Sequence, residues 1–113
     1  IVGLDNDASI KVNKGINRPV FKHKIRAKVL SALIPVDYVF IIEKATFGDK
    51  STINKTFREI YKQLRITHLI TNKFSDEYYT DKQSHADALE LNCLLQDENK
   101  FSGSTEIIAR LGI

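Results

Sequence analysis

The chain is poor in cysteine and has no long apolar run, and each absence excludes a class of protein. Cys93 is the single cysteine among 113 residues, so an internal disulfide is excluded. It lies in the apolar run 91–95, which favours a buried, inert thiol over a nucleophile or metal ligand. No apolar run approaches the roughly 18–20 residues that cross a bilayer, and no charged-then-apolar leader opens the sequence. We therefore expect a protein of the cytoplasm or another reducing compartment, without a membrane partner.

Groups of side chains that carry metal or hydrolytic chemistry are also missing from the sequence. The acids are scattered and no cysteine–histidine cluster exists, so metal catalysis by protein ligands has no support. Ser84, His85 and Asp87 only share one short polar segment, which does not predict a catalytic triad. The chain also starts on a strand, without a methionine, and we expect part of its chemistry to lie upstream of residue 1.

Positive charge is concentrated near the beginning of the chain. The formal net charge is only +3, but seven basic residues fall within eighteen positions with no acid between them: Lys11, Lys14, Arg18, Lys22, Lys24, Arg26 and Lys28. Such a patch attracts anions. A nucleic-acid-binding surface usually interleaves aromatic residues with the basic ones, and here only Phe21 does so. The patch therefore favours the phosphates of a small nucleotide over nucleic acid.

Strand and helix patterns alternate along the chain. Apolar runs predict strands at 1–4, 36–42, 66–71 and about 91–95. Helical spacing of apolar residues predicts helices at about 22–33, 56–64 and 82–89, and a terminal helix that opens at 103–106. Polar composition predicts loops at 11–19, 46–54 and 72–80. This order predicts a single α/β domain over residues 1–113, with a Rossmann-like parallel sheet and helices on its faces.

Two stretches of the chain resemble a known family. The first reads Val2-Gly3-Leu4-Asp5-Asn6-Asp7-Ala8-Ser9-Ile10, followed by Lys14-Gly15, Arg18-Pro19, Arg26, Leu30, Leu33 and Val36-Asp37-Tyr38-Val39. The second reads Ser104-Thr105-Glu106-Ile107-Ile108-Ala109-Arg110. In order and spacing they resemble the cytidylyltransferase-like nucleotidyltransferases, and within them the adenylyltransferase domain of the bacterial ADP-heptose synthases.

The resemblance implies a reaction. A sugar phosphate or polyol phosphate would attack the α-phosphate of ATP or CTP, and pyrophosphate would leave. Such catalysis consists mostly of positioning and charge neutralisation. The resemblance also implies a Mg²⁺ ion that travels with the nucleotide, since Mg²⁺ prefers phosphate oxygens.

The resemblance assigns roles to seven residues. It implies that Lys14 and Arg26 are catalytic, that Ser104 and Thr105 bind the nucleotide at a helix N-terminus, and that Asp7, Ser9 and Arg18 bind the acceptor substrate or brace its loop. Each residue has a plainer interpretation. Lys14 and Arg18 are also typical solvated loop charges, and Arg26 is a typical basic residue of a helix face. Ser104 or Thr105 is at least a helix N-cap.

Three departures from the family pattern complicate this interpretation. The family's His-x-Gly-His motif is absent, and His23, His68 and His85 have no partner at that spacing. In the family this motif follows the first strand, which is central in the sheet, so the sheet here is expected to lack that strand and the helix after it. A partner chain or a homo-oligomer would then have to complete it. The loop after 66–71 also departs from the family's Lys-Gly-Gly-Asp-Tyr, and the segment 44–57 is longer and more polar than the family's Asp-Thr-Pro turn.

Three hypotheses follow. The first is nucleotidyl transfer from ATP or CTP to a sugar or polyol phosphate. The second is a degenerate, non-catalytic nucleotidyltransferase-like subunit that serves binding or assembly in a larger complex. The third is an unrelated Rossmann-like module that binds nucleic acid through the basic segment, and its electrostatic binding would weaken steeply with salt.

Overall fold

The computed structural model describes residues 1–97 and 104–112. These contain four strands and five helices: β1 Val2–Asp5, α1 Asp7–Lys14, α2 His23–Ser31, β2 Val39–Ile42, α3 Lys50–Gln63, β3 His68–Asn72, α4 Tyr79–Leu89, β4 Asn92–Gln96 and α5 Ser104–Leu111. The chain divides into two compact units, Ile1–Phe57 and Arg58–Ile113. None of the described helices is long and apolar enough to cross a membrane.

Each unit contains one pair of parallel strands. In the first unit β1 pairs with β2, with Val2 opposite Val39 and Asp5 opposite Ile42. In the second, β3 pairs with β4, with His68 opposite Asn92. The predicted α/β class and parallel pairing are confirmed. The four strands form two two-stranded sheets in the described part of the chain, where the sequence predicts one sheet.

Gly3 is required by the close packing of β1 on β2. A Cβ atom at this position would lie 2.8 Å from Cζ of Phe40, which is the residue opposite Gly3 in the strand pair. No real Cβ contact is that short, so any larger residue would displace the Phe40 ring.

Helix α1 corrects the sequence analysis, which predicts a loop at 11–19. The helix begins because the Asn6 side chain accepts a hydrogen bond from the Ser9 backbone N–H at 2.8 Å. It ends because Gly15 adopts a φ of 108°, and the Gly15 N–H donates to the Lys11 carbonyl. The helix is therefore defined by the residues at its two ends, while its apolar residues Ala8, Ile10 and Val12 alternate with polar ones.

The remaining predicted elements are confirmed in type and shifted at their ends. Helix α3 begins at Lys50, inside the predicted 46–54 loop, because Asp49 accepts from both the Thr52 N–H and the Thr52 hydroxyl. Helix α4 begins at Tyr79, three residues before the prediction, and its last residue is Leu89. The next residue, Glu90, adopts the left-handed conformation. Helix α5 begins at Ser104, within the predicted opening.

Buried residues are few among those described. Ile42, Leu69 and Ala86 are the buried hydrophobic residues, and they are joined by four buried polar residues: Ser9, Thr56, Thr71 and His85. Buried polar groups are normally hydrogen-bonded, so these positions mark where each unit depends on specific polar contacts. Two of them lie beside the carboxyl ends of strands, where ligands bind in α/β proteins.

Candidate functional site

Asn6 connects the carboxyl end of β1 to that of β2. Its side-chain Nδ2 donates to the Ile42 carbonyl at 2.9 Å and to the Glu43 carbonyl at 3.0 Å. Its Oδ1 accepts from Ser9 N–H, as the N-cap of α1. One amide side chain therefore fixes the start of α1 against the end of the neighbouring strand.

Ser9 and Asp5 hold the segment that follows β2. The Ser9 side chain is fully buried, and its Oγ accepts from the Thr46 backbone N–H at 3.1 Å. The Thr46 hydroxyl donates to Asp5 Oδ1 at 2.8 Å, and Asn13 Nδ2 donates to the Thr46 carbonyl at 3.2 Å. The sequence predicts that Ser9 binds the acceptor or braces the loop. In the structure its hydroxyl group binds the backbone of Thr46 and so holds the segment after β2 in place.

Asp7 is the centre of a charged network at the same strand end. Its Oδ1 accepts from Arg26 Nη2 at 3.1 Å and from the His23 backbone N–H at 2.8 Å. Its Oδ2 lies 3.1 Å from Nδ1 of His23. Since α2 begins at His23 and has no side-chain cap of its own, the carboxylate of Asp7 stabilises the N-terminus of that helix from outside.

These contacts keep Asp7 ionised. Partial burial raises the pKa of its carboxyl group, but the hydrogen bonds from Arg26 and His23 N–H and the positive charges beside it more than compensate. The pKa of Asp7 therefore lies below its usual value.

Arg26 binds backbone carbonyls as well as Asp7. Its Nε donates to the Phe21 carbonyl at 3.0 Å, and its Nη2 donates to the Asp5 carbonyl at 2.9 Å. Arg26 therefore ties α2 to the end of β1. The sequence analysis places Arg26 and Asp7 in one site, and the structure brings them into direct contact.

Lys14 and Arg18 lie on either side of the turn that follows α1. Lys14 is the last residue of α1, is exposed, and lies about 10 Å along the helix axis from Asp7. The Arg18 backbone N–H donates to the Gly15 carbonyl at 3.0 Å. The Nε of Arg18 is buried and has no hydrogen-bond partner among the described residues. Such orphaned donors are rare in proteins and call for a ligand or water.

Ser104 and Thr105 form the first turn of α5, in the second unit. Thr105 is exposed. The side chain of Ser104 lies outside the described part of the structure. The predicted helix start is thus confirmed, and nucleotide binding by these two residues stays a prediction.

A second polar cluster follows β3. Asp76 Oδ2 accepts from the Thr71 hydroxyl at 2.7 Å and forms an ion pair with Lys82, while its Oδ1 accepts from Tyr78 N–H at 3.0 Å. Burial raises the pKa of Asp76, but these three donors together hold it below its usual value. Burial, aided by the charge of Asp76, raises the pKa of Tyr61 to about 12.

His85 is buried beside this cluster. Its Nδ1 accepts from Arg58 Nε at 3.1 Å, and its ring meets the Tyr61 ring edge-on at a centroid distance of 5.8 Å. Burial and the Arg58 charge lower the pKa of His85, and Asp81 offsets this only in part. His85 is therefore neutral near pH 7, with its proton on Nε2.

Sequence reasoning missed two contributors to these sites. His23 matches no family motif, yet its ring is half-buried against Asp7. Thr46 lies in a predicted loop and carries no family motif, yet it receives contacts from Asp5, Ser9 and Asn13. Thr46 lies 37 residues from Ser9 and 41 residues from Asp5 in the sequence, so no local pattern reveals that they are in contact. Among the described residues, no three histidine, cysteine, aspartate or glutamate side chains gather as a metal site.

Comparison with known proteins identifies relatives for part of the chain. It is 54% identical over 46 residues to the bifunctional protein HldE of Rhodopseudomonas palustris, and 52% identical over 46 residues to those of Helicobacter pylori and Nitrobacter winogradskyi. Each match covers 41% of this chain and only 9–10% of the relative. No family model and no solved structure matches. The resemblance to ADP-heptose synthases predicted from the sequence is thus confirmed by curated relatives.

Proposed function

We propose that the protein takes part in nucleotidyl transfer from ATP or CTP to a sugar phosphate or polyol phosphate, with release of pyrophosphate. The observation that carries this is the network at the carboxyl end of β1. Asn6, Asp7, Ser9 and Arg26 come from the motifs that resemble the nucleotidyltransferases, and they converge at the edge of a parallel strand pair. Ligands of α/β folds bind at that edge.

Lys14 and Arg18 are suited to bind the transferred phosphates. Lys14 is exposed at the end of α1, so its ammonium group is available to an anion. The buried, unpartnered Nε of Arg18 would gain a hydrogen bond from a phosphate or the acceptor. Both residues lie in the segment whose charge is entirely positive.

Arg26 combines bracing with anion binding in this proposal. Its Nε and Nη2 hold the Phe21 carbonyl, the Asp5 carbonyl and Asp7. No contact of the described residues occupies Nη1, which leaves that nitrogen for a phosphate oxygen. Asp7 and Ser9 then shape the acceptor side chiefly by holding α1, α2 and the segment after β2 in place.

Ser104 and Thr105 would bind nucleotide phosphates through the first backbone N–H groups of α5. These groups lack partners within a helix and carry partial positive charge. Mg²⁺ would arrive on the nucleotide. Since no cluster of three ligand side chains exists among the described residues, phosphate oxygens would supply most of its coordination.

We further propose that the protein has a Rossmann-like parallel sheet that a further strand completes. Sheets of parallel strands are normally buried on both faces and larger than two strands. In the described residues β1 pairs only with β2, and β3 only with β4. The added strand would come from more of the same polypeptide or from a partner chain.

The test is a coupled pyrophosphate-release assay on the intact protein with ATP or CTP and a panel of sugar and polyol phosphates. Lys14→Ala should lower kcat/KM about a hundredfold, as removal of a transition-state charge contact does. Lys28→Ala removes the same charge from the exposed last turn of α2 and is the matched control. Equal rates for the two variants would overturn the role of Lys14.

A non-catalytic binding subunit is the second candidate, favoured by the altered loop at 72–78 and by the strand pairs that are open in the described residues. It predicts that ATP or CTP protects the intact protein from thermal unfolding while no acceptor yields pyrophosphate. Pyrophosphate release that depends on Lys14 would contradict it.

A further inference from the structure

The three histidines occupy different environments, and His23 alone combines a carboxylate partner with exposure. His68 is exposed, and its Nδ1 lies 2.8 Å from the Thr67 hydroxyl. His85 is buried, with Nδ1 taken by Arg58. The side chain of His23 is 30% exposed and contacts Asp7. His23 is therefore the histidine that can meet both an internal anion and an external ligand.

Asp7 fixes the orientation of the His23 ring from two directions. One carboxylate oxygen accepts from the His23 backbone N–H at 2.8 Å, and the other lies 3.1 Å from ring Nδ1. The alternative is that Nδ1 accepts from the Asp7 backbone N–H, but that hydrogen bond is longer, at 3.4 Å, and lacks charge assistance. The shorter contact to an ionised carboxylate places the Nδ1 proton between the ring and Asp7.

The second ring nitrogen of His23 is free for a ligand. With Nδ1 held by Asp7, Nε2 has no partner among the described residues. The charged groups that face the ring are Asp7 and, through it, Arg26, while Lys22 and Lys24 flank His23 in the chain and are exposed. An imidazole held by a carboxylate within a basic segment is suited to donate a hydrogen bond to an anion.

We propose that His23 is a phosphate-binding residue of the β1 edge, which donates from Nε2–H to a phosphate oxygen while Asp7 holds Nδ1–H. This rests on the proposed function and names a residue outside the motifs that carry the family resemblance. The neutral ring presents a lone pair at Nε2 and repels a phosphate oxygen. The protonated ring presents two donors, one for Asp7 and one for a phosphate oxygen, so the protonated form is the one that binds phosphate.

Imidazole NMR of the intact protein tests the proposal, with inorganic pyrophosphate as the probe. The His23 signal is the one that disappears in His23→Gln. Saturating pyrophosphate should shift the His23 ring signals, because a phosphate oxygen accepts the Nε2–H hydrogen bond and changes the surroundings of that nitrogen. The His68 and His85 signals should not move. Unchanged His23 signals in the presence of bound pyrophosphate would overturn the proposal.

Two substitutions separate the two ring nitrogens. His23→Asn keeps an N–H near Nδ1 for Asp7 and has nothing at the position of Nε2. His23→Gln places a neutral N–H near Nε2. Pyrophosphate should bind about tenfold more weakly to His23→Asn at pH 6, and His23→Gln should recover part of that loss. His68→Gln is the control and should bind like the unsubstituted protein. Equal affinity of all four proteins would contradict the assignment.

The pH dependence gives a second readout. The affinity ratio of the unsubstituted protein to His23→Gln cancels the titration of pyrophosphate itself. That ratio should fall as pH rises through the histidine range, by at most about tenfold per pH unit. A flat ratio between pH 5.5 and 8 would overturn proton-coupled binding.

These outcomes are distinct from those that test the proposed function. A His23 ring signal that shifts with inorganic pyrophosphate, without pyrophosphate release in any assay, would keep the phosphate site and reject transfer. Transfer activity that is equal in His23→Asn and the unsubstituted protein would keep the proposed function and reject the role of His23.

Discussion

The ends of β1 and β3 use the same arrangement for different purposes. Beyond each strand an ionised carboxylate binds a side-chain cation, Asp7 with Arg26 and Asp76 with Lys82. Each carboxylate also accepts a backbone N–H. Both acids have lowered pKa values for this reason.

The two clusters differ in reach and in what they leave open. The Asp76 contacts are local, spanning five residues to Thr71 and six to Lys82. The contacts at β1 span 19 residues from Asp7 to Arg26 and 41 from Asp5 to Thr46. The Asp76 cluster closes one loop, whereas the Asp7 network connects separate elements of the first unit.

The histidines show the same difference. His85, beside the β3 cluster, is buried with Nδ1 satisfied by Arg58. His23, in the β1 network, is partly exposed and retains a free ring nitrogen. A carboxylate beside a strand end is therefore insufficient to indicate a ligand site. The distinguishing feature of the first unit is unsatisfied hydrogen-bonding capacity in a basic segment, at His23 beside the end of β1 and at Arg18 Nε after α1.

The largest expected difference concerns the two cations. Arg26→Ala removes hydrogen bonds to two carbonyls and Asp7, and we expect the free energy of unfolding to fall by about 2–3 kcal/mol. Lys82→Ala removes one partly exposed ion pair and should cost about 1 kcal/mol. Urea unfolding of both variants measures this, with Lys28→Ala as the surface control. Equal losses of free energy of unfolding in Arg26→Ala and Lys82→Ala would contradict the view that the Asp7 network contributes more to stability than the Asp76 cluster.

The two buried hydroxyl groups sharpen the comparison. Ser9→Ala leaves the Thr46 N–H without its acceptor, and we expect it to lower the free energy of unfolding by about 1–2 kcal/mol. Thr71→Val keeps the side-chain shape and leaves Asp76 its other two donors, so we expect a loss below about 1 kcal/mol. Urea midpoints give both values. If Thr71→Val lowered the free energy of unfolding more than Ser9→Ala, the hydroxyl group of Thr71 would be the more important of the two for stability.

His85 should make stability depend on pH. Its pKa is lowered in the folded protein, so the unfolded chain binds the proton first as pH falls below about 6.5. Stability should therefore be full above that pH and decline below it, by at most about 1.4 kcal/mol per pH unit. The lowered pKa values of Asp7 and Asp76 affect stability at more acidic pH, as the solution pH falls below the ordinary carboxyl pKa. Urea unfolding between pH 5 and 7.5 should lose this slope in His85→Gln and keep it in His68→Gln.

Local signals predict the elements better than they predict the site. Apolar runs locate β2 and β3, and Gly103-Ser104 locates the start of α5, because these patterns are read over a few residues. The sequence does not predict α1, because Asn6 and Gly15 define its ends while its apolar residues Ala8, Ile10 and Val12 alternate with polar ones. The family motifs predict that Asp7, Ser9 and Arg26 belong to the site. They do not predict that Asp7 binds Arg26 or that Ser9 binds the backbone of Thr46.

The partners of the site residues could not be predicted for a physical reason. The Ser9–Thr46 bond joins residues 37 apart and depends on β1 pairing with β2 in register. His23 reaches Asp7 only because α2 begins beside α1. Long-range contacts of this kind follow from the packed fold and leave no periodic trace in the chain.

Hydrogen–deuterium exchange of the intact protein, with and without Mg²⁺–ATP or Mg²⁺–CTP, tests most directly whether the β1 edge is the phosphate site. We predict slower exchange across residues 6–26 and at the start of α5, with residues 72–82 unchanged. Slower exchange confined to 72–82, or no change across 6–26 with bound nucleotide, would contradict the account.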